Sequence, residues 1–261
     1  MTETQQLKLP EIVCWLNDND LEKIYSSSYW NNIEEEKKKE WWIEDGNYER
    51  CLTYLKSSRL LSEYEFSEKF ISETRKENLV VADLAAGTGW ISALISRLNN
   101  VREVRSVEIS KHRLETLFEH SVRMLSGEPG KICRFLGSFY DLKFDTHSID
   151  VIYLSQAFHH ADKPFHLLNE CDRVLKKGGR IILVGEHYFT WLRVIKRILV
   201  NLIRNGKWTT NFYELFPPDP VLGDHYYRCS DYYFMFRSMG YSIAHYSVSG
   251  DEVIYVADKL D

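Results

Sequence analysis

The segment Asp83-Leu-Ala-Ala-Gly-Thr-Gly-Trp90 lies between two apolar runs, Leu79-Val80-Val81-Ala82 and Ile91-Ser92-Ala93-Leu94-Ile95. A turn bearing Gly87 and Gly89 lets a ligand approach the backbone closely, because glycine has no side chain and accepts positive φ. A dinucleotide site wants glycines spaced G-x-G-x-x-G, but with Gly87 and Gly89 at the first two places Ser92 stands at the last, and with Ala85 at the first place the last falls on Trp90. No Gly-Lys-Ser/Thr follows to hold a triphosphate. The ligand of this turn therefore need not carry phosphate. About 20 residues further on, where an acidic side chain can accept hydrogen bonds from both ribose hydroxyls, the run Val104 to Ser110 presents Glu108.

Proton chemistry has its own candidates. His159 and His160 end the run Ile149 to His160, His187 follows the run Arg180 to Gly185, and His225 lies in Gly-Asp-His-Tyr-Tyr-Arg. Among these, His160, His187 and His225 are candidate general bases for a hydroxyl nucleophile, a role worth typically about 10² to 10⁴ in rate. The alternative for each is packing with a hydrogen bond to backbone. Tyr226, Tyr227 and Arg228 are candidates for recognising a polar or anionic acceptor, against an alternative of aromatic packing in a lid. The five cysteines are odd in number, scattered and without C-x-x-C spacing. That pattern predicts reduced thiols in a cytoplasmic protein and no metal site.

These residues need a scaffold, and its order can be read. Apolar strands are expected at Leu79 to Leu84, Val104 to Ile109, Ile132 to Leu136, Ile149 to Leu154 and Arg180 to Gly185, with helices at Trp90 to Leu98, Lys111 to Leu125 and Pro164 to Leu175. A further helix, Asp231 to Met239, precedes an expected antiparallel hairpin formed by Tyr241 to Val248 and Val253 to Ala257. The prediction is an α/β, doubly wound sheet of seven strands, mostly parallel, ending in an antiparallel hairpin. Residues 1–78 read as an N-terminal helical cap and residues 79–261 as the wound domain, with a lid insertion over about 187–230. In such a sheet ligands sit beyond the carboxyl ends of the strands. The net charge of −5 argues against a broad grip on nucleic acid. The N-terminus lacks a signal-peptide pattern, and no window reaches the roughly 18 apolar residues of a membrane span.

With these motifs in view, the chain resembles the class I S-adenosylmethionine-dependent methyltransferases, in particular their broad small-molecule subgroup. The stretches that carry the resemblance are Asp83 to Gly89, Glu108, Gly137 to Phe144, Ala157 to His160 and Arg173 to Gly179. It implies that Ala85, Gly87 and Gly89 belong to the loop that meets the methionine part of S-adenosylmethionine, with Asp83 beneath it. It assigns Glu108 to the ribose, Ile109 to one adenine face, and Ser138 and Phe139 to the adenine edge, with Ser155 also toward the cofactor. The departures are Ser138 for the usual Asp, Ala85 for the first glycine and Lys143 for the usual Pro. A sulfonium cofactor without phosphate agrees with a turn that lacks the third glycine.

The expected activity is methyl transfer to an oxygen or nitrogen of a small molecule such as a sugar, a phospho-compound or a natural-product intermediate. The rivals are a nicotinamide oxidoreductase, a nucleic-acid methyltransferase and a non-catalytic cofactor-binding partner subunit. Ser155-Gln156-Ala157-Phe158 lacks the Pro-Pro-aromatic signature of amino-methylating nucleic-acid enzymes. Tyr25, Tyr29 and Trp30 are candidates for lining an N-terminal lid, with ordinary helix packing as the alternative. Thr190 to Trp208 reads as a basic amphipathic helix, with Trp191, Ile195, Ile198, Leu199, Leu202 and Ile203 on one side and Arg193, Lys196, Arg197, Asn201 and Arg204 on the other. A lid whose apolar side packs on the domain is favoured over contact with an anionic membrane.

Overall fold

The computed structural model describes residues 9–27, 43, 45–74, 76–219, 223–248 and 252–260. Tyr29, Trp30 and the hairpin turn at 249–251 lie outside them. In chain order the elements are β1 (Val13–Cys14), α1 (Asp18–Ser27), α2 (Tyr48–Ser57), α3 (Leu60–Ser72), β2 (Leu79–Leu84), α4 (Trp90–Ser96) and β3 (Val101–Glu108). A π-helical turn (Arg113–Leu117) then leads into α5 (Phe118–Met124), followed by β4 (Ile132–Leu136), β5 (Ile149–Ser155), α6 (Pro164–Val174) and β6 (Leu175–His187). The chain continues with α7 (Trp191–Asn205), α8 (Phe212–Leu215), α9 (Cys229–Ser238), β7 (Tyr241–Ser247) and β8 (Glu252–Lys259).

The strands form one sheet in the order β1-β4-β3-β2-β5-β6-β8-β7. The first six pair in parallel, and β8 runs antiparallel to both β6 and β7. The wound sheet and its closing hairpin match the expectation, but the described residues hold eight strands, not seven. The added strand is β1, which pairs Val13 with Phe135 and Cys14 with Leu136. Two residues are too few for side-chain alternation to show. What holds them is Trp15: its N–H donates to the Leu136 carbonyl at 2.9 Å, and its ring so fills the space above Gly137 that a Cβ there would lie 2.5 Å from it.

The long apolar runs follow from burial on both faces of the sheet. Every residue of β2 is buried. Val81 faces the layer of α2 to α5, packed with Leu55, Tyr64, Ile91 and Phe118. Val80, Ala82 and Leu84 face the opposite layer, with Phe158, Leu168 and Phe236. Parallel pairing of β2 with β3 and β5 places their carboxyl ends side by side. Residues of the N-terminal segment share the first layer, since Leu55, Leu60, Phe70 and Ile71 are buried with strand residues. The helix expected over Lys111 to Leu125 is widened by one π-helical turn at Arg113–Leu117. Such turns occur disproportionately at functional sites.

Candidate functional site

A cavity of ≈ 800 Å³ opens at the carboxyl ends of β2, β3, β4 and β5. Its floor is the β2–α4 turn. Ala85 (φ 56°), Gly87 (φ 55°) and Gly89 (φ 82°) all take left-handed backbone there. Gly89 has to be glycine, since a Cβ would lie 2.6 Å from the Phe118 ring. Beneath the turn, the buried Asp83 carboxylate accepts a hydrogen bond from Ser92 Oγ at 2.5 Å, and Ser92 Oγ also meets Ser106 Oγ at 2.7 Å. Ser92 stands at the third glycine position of a dinucleotide fingerprint. Its side chain is small enough for the helix to pack on the strand, and its hydroxyl fixes Asp83. Burial pushes Asp83 up to about 7, with the Glu108 charge adding to the rise and the Ser92 hydrogen bond opposing it.

Glu108 ends β3 with its carboxylate tied to three backbone donors. Oε2 accepts from Gly87 N–H at 2.7 Å, and Oε1 accepts from Ile109 N–H at 2.8 Å and Ser110 N–H at 2.9 Å. Glu108 thereby sets the shape of the glycine turn. The residues Asp83, Ala85, Gly87, Glu108, Ile109, Ser138, Phe139 and Ser155 all line this one cavity. Gly89 lies behind it as the residue that precedes α4.

Part of the lining was not legible in the sequence. Ile43, Arg50, Tyr54 and Leu60 from the N-terminal segment form it, joined by Arg113, Gln156 and His160. Arg50 and Tyr54 are four positions apart on α2 and so share a helix face, the one signal that pointed to them. Gln156 takes φ 50°, rare for a residue other than glycine, and no sequence pattern announces it. Its side chain fills the space over Gly185, where a Cβ would lie 2.6 Å from it.

Of the three candidate bases, only His160 lines the cavity. Its Nδ1 lies 3.1 Å from Asp224 Oδ1. Behind it, His159 Nδ1 is 3.2 Å from Glu186 Oε2, and the same carboxylate oxygen accepts from Tyr232 O–H at 2.5 Å. Phe158 N–H donates to the other oxygen at 3.1 Å. Burial alone would push Glu186 up, yet attraction to His159 and the hydrogen bonds from His159 and Tyr232 outweigh it and hold its pKa down. His160 is lowered to about 4 by burial and by the charge of His159, with Asp224 and Glu186 acting against the fall. His160 is therefore neutral near pH 7. Ligand atoms of His159, His160 and Asp224 lie within 4.8 Å of one another, a spacing that a metal ion could also use.

The insertion residues go elsewhere. His187 packs against the rings of His159 and Tyr226, at 4.9 and 5.2 Å. His225 donates its backbone N–H to the His159 carbonyl at 2.7 Å. Tyr227 donates its hydroxyl to the Ala161 carbonyl at 2.6 Å, and Arg228 is tied to Asp231 at the start of α9. None of His187, His225, Tyr226, Tyr227 and Arg228 lines the cavity. Asp224 and Glu186 are further residues that sequence reasoning missed. Both were hidden because their partners, His160 and His159, are distant in the chain.

Residues 82–183 match the family described as a methyltransferase domain. Over that span the chain is similar to methyltransferase domains. Demethylmenaquinone methyltransferase of Thermotoga maritima is 31% identical over 104 residues, covering 40% of this chain and 42% of that protein. The chloroplastic 2-methyl-6-phytyl-1,4-hydroquinone methyltransferase of Spinacia oleracea is 28% identical over 123 residues, covering 46% of this chain and 34% of that protein. The chain thus matches less than half the length of these curated relatives. Among solved structures, magnesium protoporphyrin IX methyltransferase of Synechocystis PCC 6803, with S-adenosylhomocysteine bound, is similar with a TM-score of 0.54 to 0.55 in company with YcgJ of Bacillus subtilis. At 14% and 17% identity, covering 78% and 74% of this chain and 84% and 97% of theirs, these two establish the shared methyltransferase fold.

Proposed function

We propose that the protein transfers the methyl group of S-adenosylmethionine to an oxygen or nitrogen of a small-molecule acceptor. The observation that carries this reading is the cavity, which the glycine turn, Asp83 and Glu108 line together with Arg50, Tyr54, Gln156 and His160. Its volume of ≈ 800 Å³ lies within the range of sites that enclose a small ligand, about 300 to 1,000 Å³. The residues fit the cofactor. Ser155 Oγ, buried at the cavity wall, has no hydrogen-bond partner among the described residues, and buried polar groups of that kind call for one. Gly87 leaves its loop open, since a Cβ there would meet only the end of the Arg113 side chain at 3.6 Å.

In this reading Glu108 addresses the ribose hydroxyls while holding the turn, and Asp83 offers its carboxylate to the amino end. Ile109, Ser138, Phe139 and Ser155 surround the adenine side. When bound, S-adenosylmethionine supplies an electrophilic methyl group, so the protein's task is mostly to orient a nucleophile and exclude water. Orientation of that kind can remove about 7 to 11 kcal/mol of barrier. His160, neutral and beside Asp224, is the group of this chain best placed to take a proton from an acceptor hydroxyl. Tyr54 and Arg50 on α2 give the acceptor side both an aromatic and a cationic wall, which suits a ring-bearing or anionic acceptor. The ring-bearing substrates in the names of the relatives agree with that choice.

Isothermal titration calorimetry with S-adenosylmethionine and S-adenosylhomocysteine tests the first half, with saturable binding expected for both. Absence of heat with either in the folded protein rejects the reading. The second half is tested by transfer of labelled methyl to a panel of phenols, hydroquinones and amines.

A further inference from the structure

Helix α7 sits on the protein the wrong way round for a lid. The expectation was that its apolar side packs on the domain, but Trp191 is 82% exposed, Leu192 79% and Ile203 81%, with Ile195, Leu199 and Leu202 exposed as well. At 100° per residue these six occupy a continuous arc of about 120°. The half-buried positions of α7 are Arg193, Val194, Ile198, Val200 and Asn201. Arg193 lies over the Phe189 ring at 4.8 Å, and Arg197 lies over the Phe216 ring at 5.8 Å and donates Nε–H to the Leu215 carbonyl at 3.0 Å. No residue of α7 is fully buried. Contact with α8 and its flanks thus holds the other side of the helix and leaves this apolar arc outward.

We infer that α7 is a membrane-surface element, lying in the interface of an anionic bilayer with its apolar arc in the acyl boundary. Charge decides between occupants. From Glu186 to Glu214 the sequence contains no other acidic residue, while it holds Arg193, Lys196, Arg197, Arg204 and Lys207. Lys196, Arg204 and Lys207 are exposed; at 100° per residue Lys196 flanks the apolar arc, placed to meet lipid phosphates while the arc is buried, and Arg204 lies on the far side. This segment is locally cationic in a chain whose net charge is −5. Trp191 starts the helix and Trp208, 66% exposed, follows its end. Indole rings at both ends of an apolar face are suited to the headgroup level of a bilayer. A second copy of the chain paired through this face about a two-fold axis would bring two sets of these cations together with no acid between them. No helix among the described residues is long and apolar enough to cross a membrane, so this contact lies on the surface. Because α7 begins just beyond His187, at the end of β6, the docked face adjoins the strand end that carries Glu186. This inference rests on the helix surface alone and stands apart from the methyl-transfer reading.

Vesicle flotation with the full chain provides the test, using phosphatidylcholine vesicles with and without one quarter phosphatidylglycerol. The protein is expected to float with the anionic vesicles, and the bound fraction should fall with salt. Each exposed cation near the surface contributes about a 5-fold factor, so Lys196→Gln with Lys207→Gln should weaken binding roughly 25-fold. Leu192→Asp with Ile203→Asp should abolish flotation and leave S-adenosylhomocysteine binding and the melting temperature unchanged, since both side chains already face solvent. Failure to float with anionic vesicles overturns the inference. So does a salt-stable dimer in sedimentation velocity that Leu192→Asp with Ile203→Asp dissolves, because then the face belongs to a second copy.

Discussion

Asp83 makes cofactor binding dependent on pH in a way that can be calculated. Its carboxyl is buried in the cavity floor, and burial with the adjacent Glu108 charge raises it to about 7. A cationic amino group placed there favours the ionised form, so below about pH 7 binding must first expel a proton. The ionised fraction is about one tenth at pH 6 and one hundredth at pH 5. Each unit below 7 therefore weakens binding about tenfold, or 1.36 kcal/mol. Asp83→Asn can still accept the Ser92 hydrogen bond but cannot ionise. It should bind S-adenosylhomocysteine more weakly at pH 7.5, show no such slope, and converge with the parent as pH falls to 5. Calorimetry at pH 6 in two buffers of different ionisation enthalpy should find nearly one proton released by the parent and none by the variant. The sign for stability is opposite. Because the folded pKa lies above the unfolded value of 3.8, the folded state holds the extra proton between the two. The contribution of Asp83 to stability is complete below 3.8 and is lost as pH rises through 7. Equal pH slopes for the parent and Asp83→Asn would refute both the raised pKa and the charge contact.

Three further outcomes follow from the geometry. Glu108→Gln replaces one acceptor oxygen with an NH₂ group facing a backbone N–H, which leaves at least one of Gly87, Ile109 and Ser110 unsatisfied. Cofactor affinity measured by calorimetry should fall by about 1 to 3 kcal/mol, and a folded variant with unchanged affinity would remove Glu108 from the ribose role. Gly89→Ala places a methyl 2.6 Å from the Phe118 ring at φ 82°. Left-handed backbone costs about 1 to 2 kcal/mol and overpacking about 1 to 3, so thermal denaturation should show a loss of several degrees; an unchanged midpoint would contradict the packing. His160→Ala should slow methyl transfer to a hydroxyl acceptor by about 10² or more with cofactor binding retained, whereas a comparable loss in His187→Ala or His225→Ala would move the base off the cavity.

The cofactor side of the cavity was legible because it is written in contiguous or regularly spaced sequence. A glycine turn after an apolar strand, an acid at the next strand end and small residues after the third strand each occupy a position fixed by the parallel sheet. Leu79–Leu84 and Ile132–Leu136 appear as strands with the boundaries read from their apolar runs. The acceptor side was not legible, for a physical reason. Arg50 and Tyr54 reach the cavity through tertiary packing of α2, and Asp224 reaches His160 through an insertion whose path no local pattern encodes. Arg228 is a candidate in the sequence for a polar or anionic acceptor, but its charge is spent on Asp231 at a helix start.

Helix α7 shows the limit of pattern reading most sharply. Its periodicity was read correctly as amphipathic, and Thr190 caps it as an N-terminal oxygen should, accepting from Arg193 N–H at 3.3 Å. Periodicity fixes which residues share a face, but it does not say which face meets the body. That choice was made by Phe189, Phe212 and Phe216, whose rings pack together within 4.6 to 5.0 Å and offer aromatic faces and a free carbonyl to Arg193 and Arg197. Guanidinium groups stack on such rings and keep their remaining donors for oxygen, whereas an aliphatic face would leave the Leu215 carbonyl without the Arg197 donor. Once the arginines are seated, helical geometry turns Leu192, Ile195, Leu199 and Ile203 outward. The same aromatic cluster that anchors the insertion therefore produces the exposed apolar arc, and a change such as Phe216→Ala should loosen the Arg197 side of α7 and weaken vesicle flotation while leaving the cofactor cavity intact.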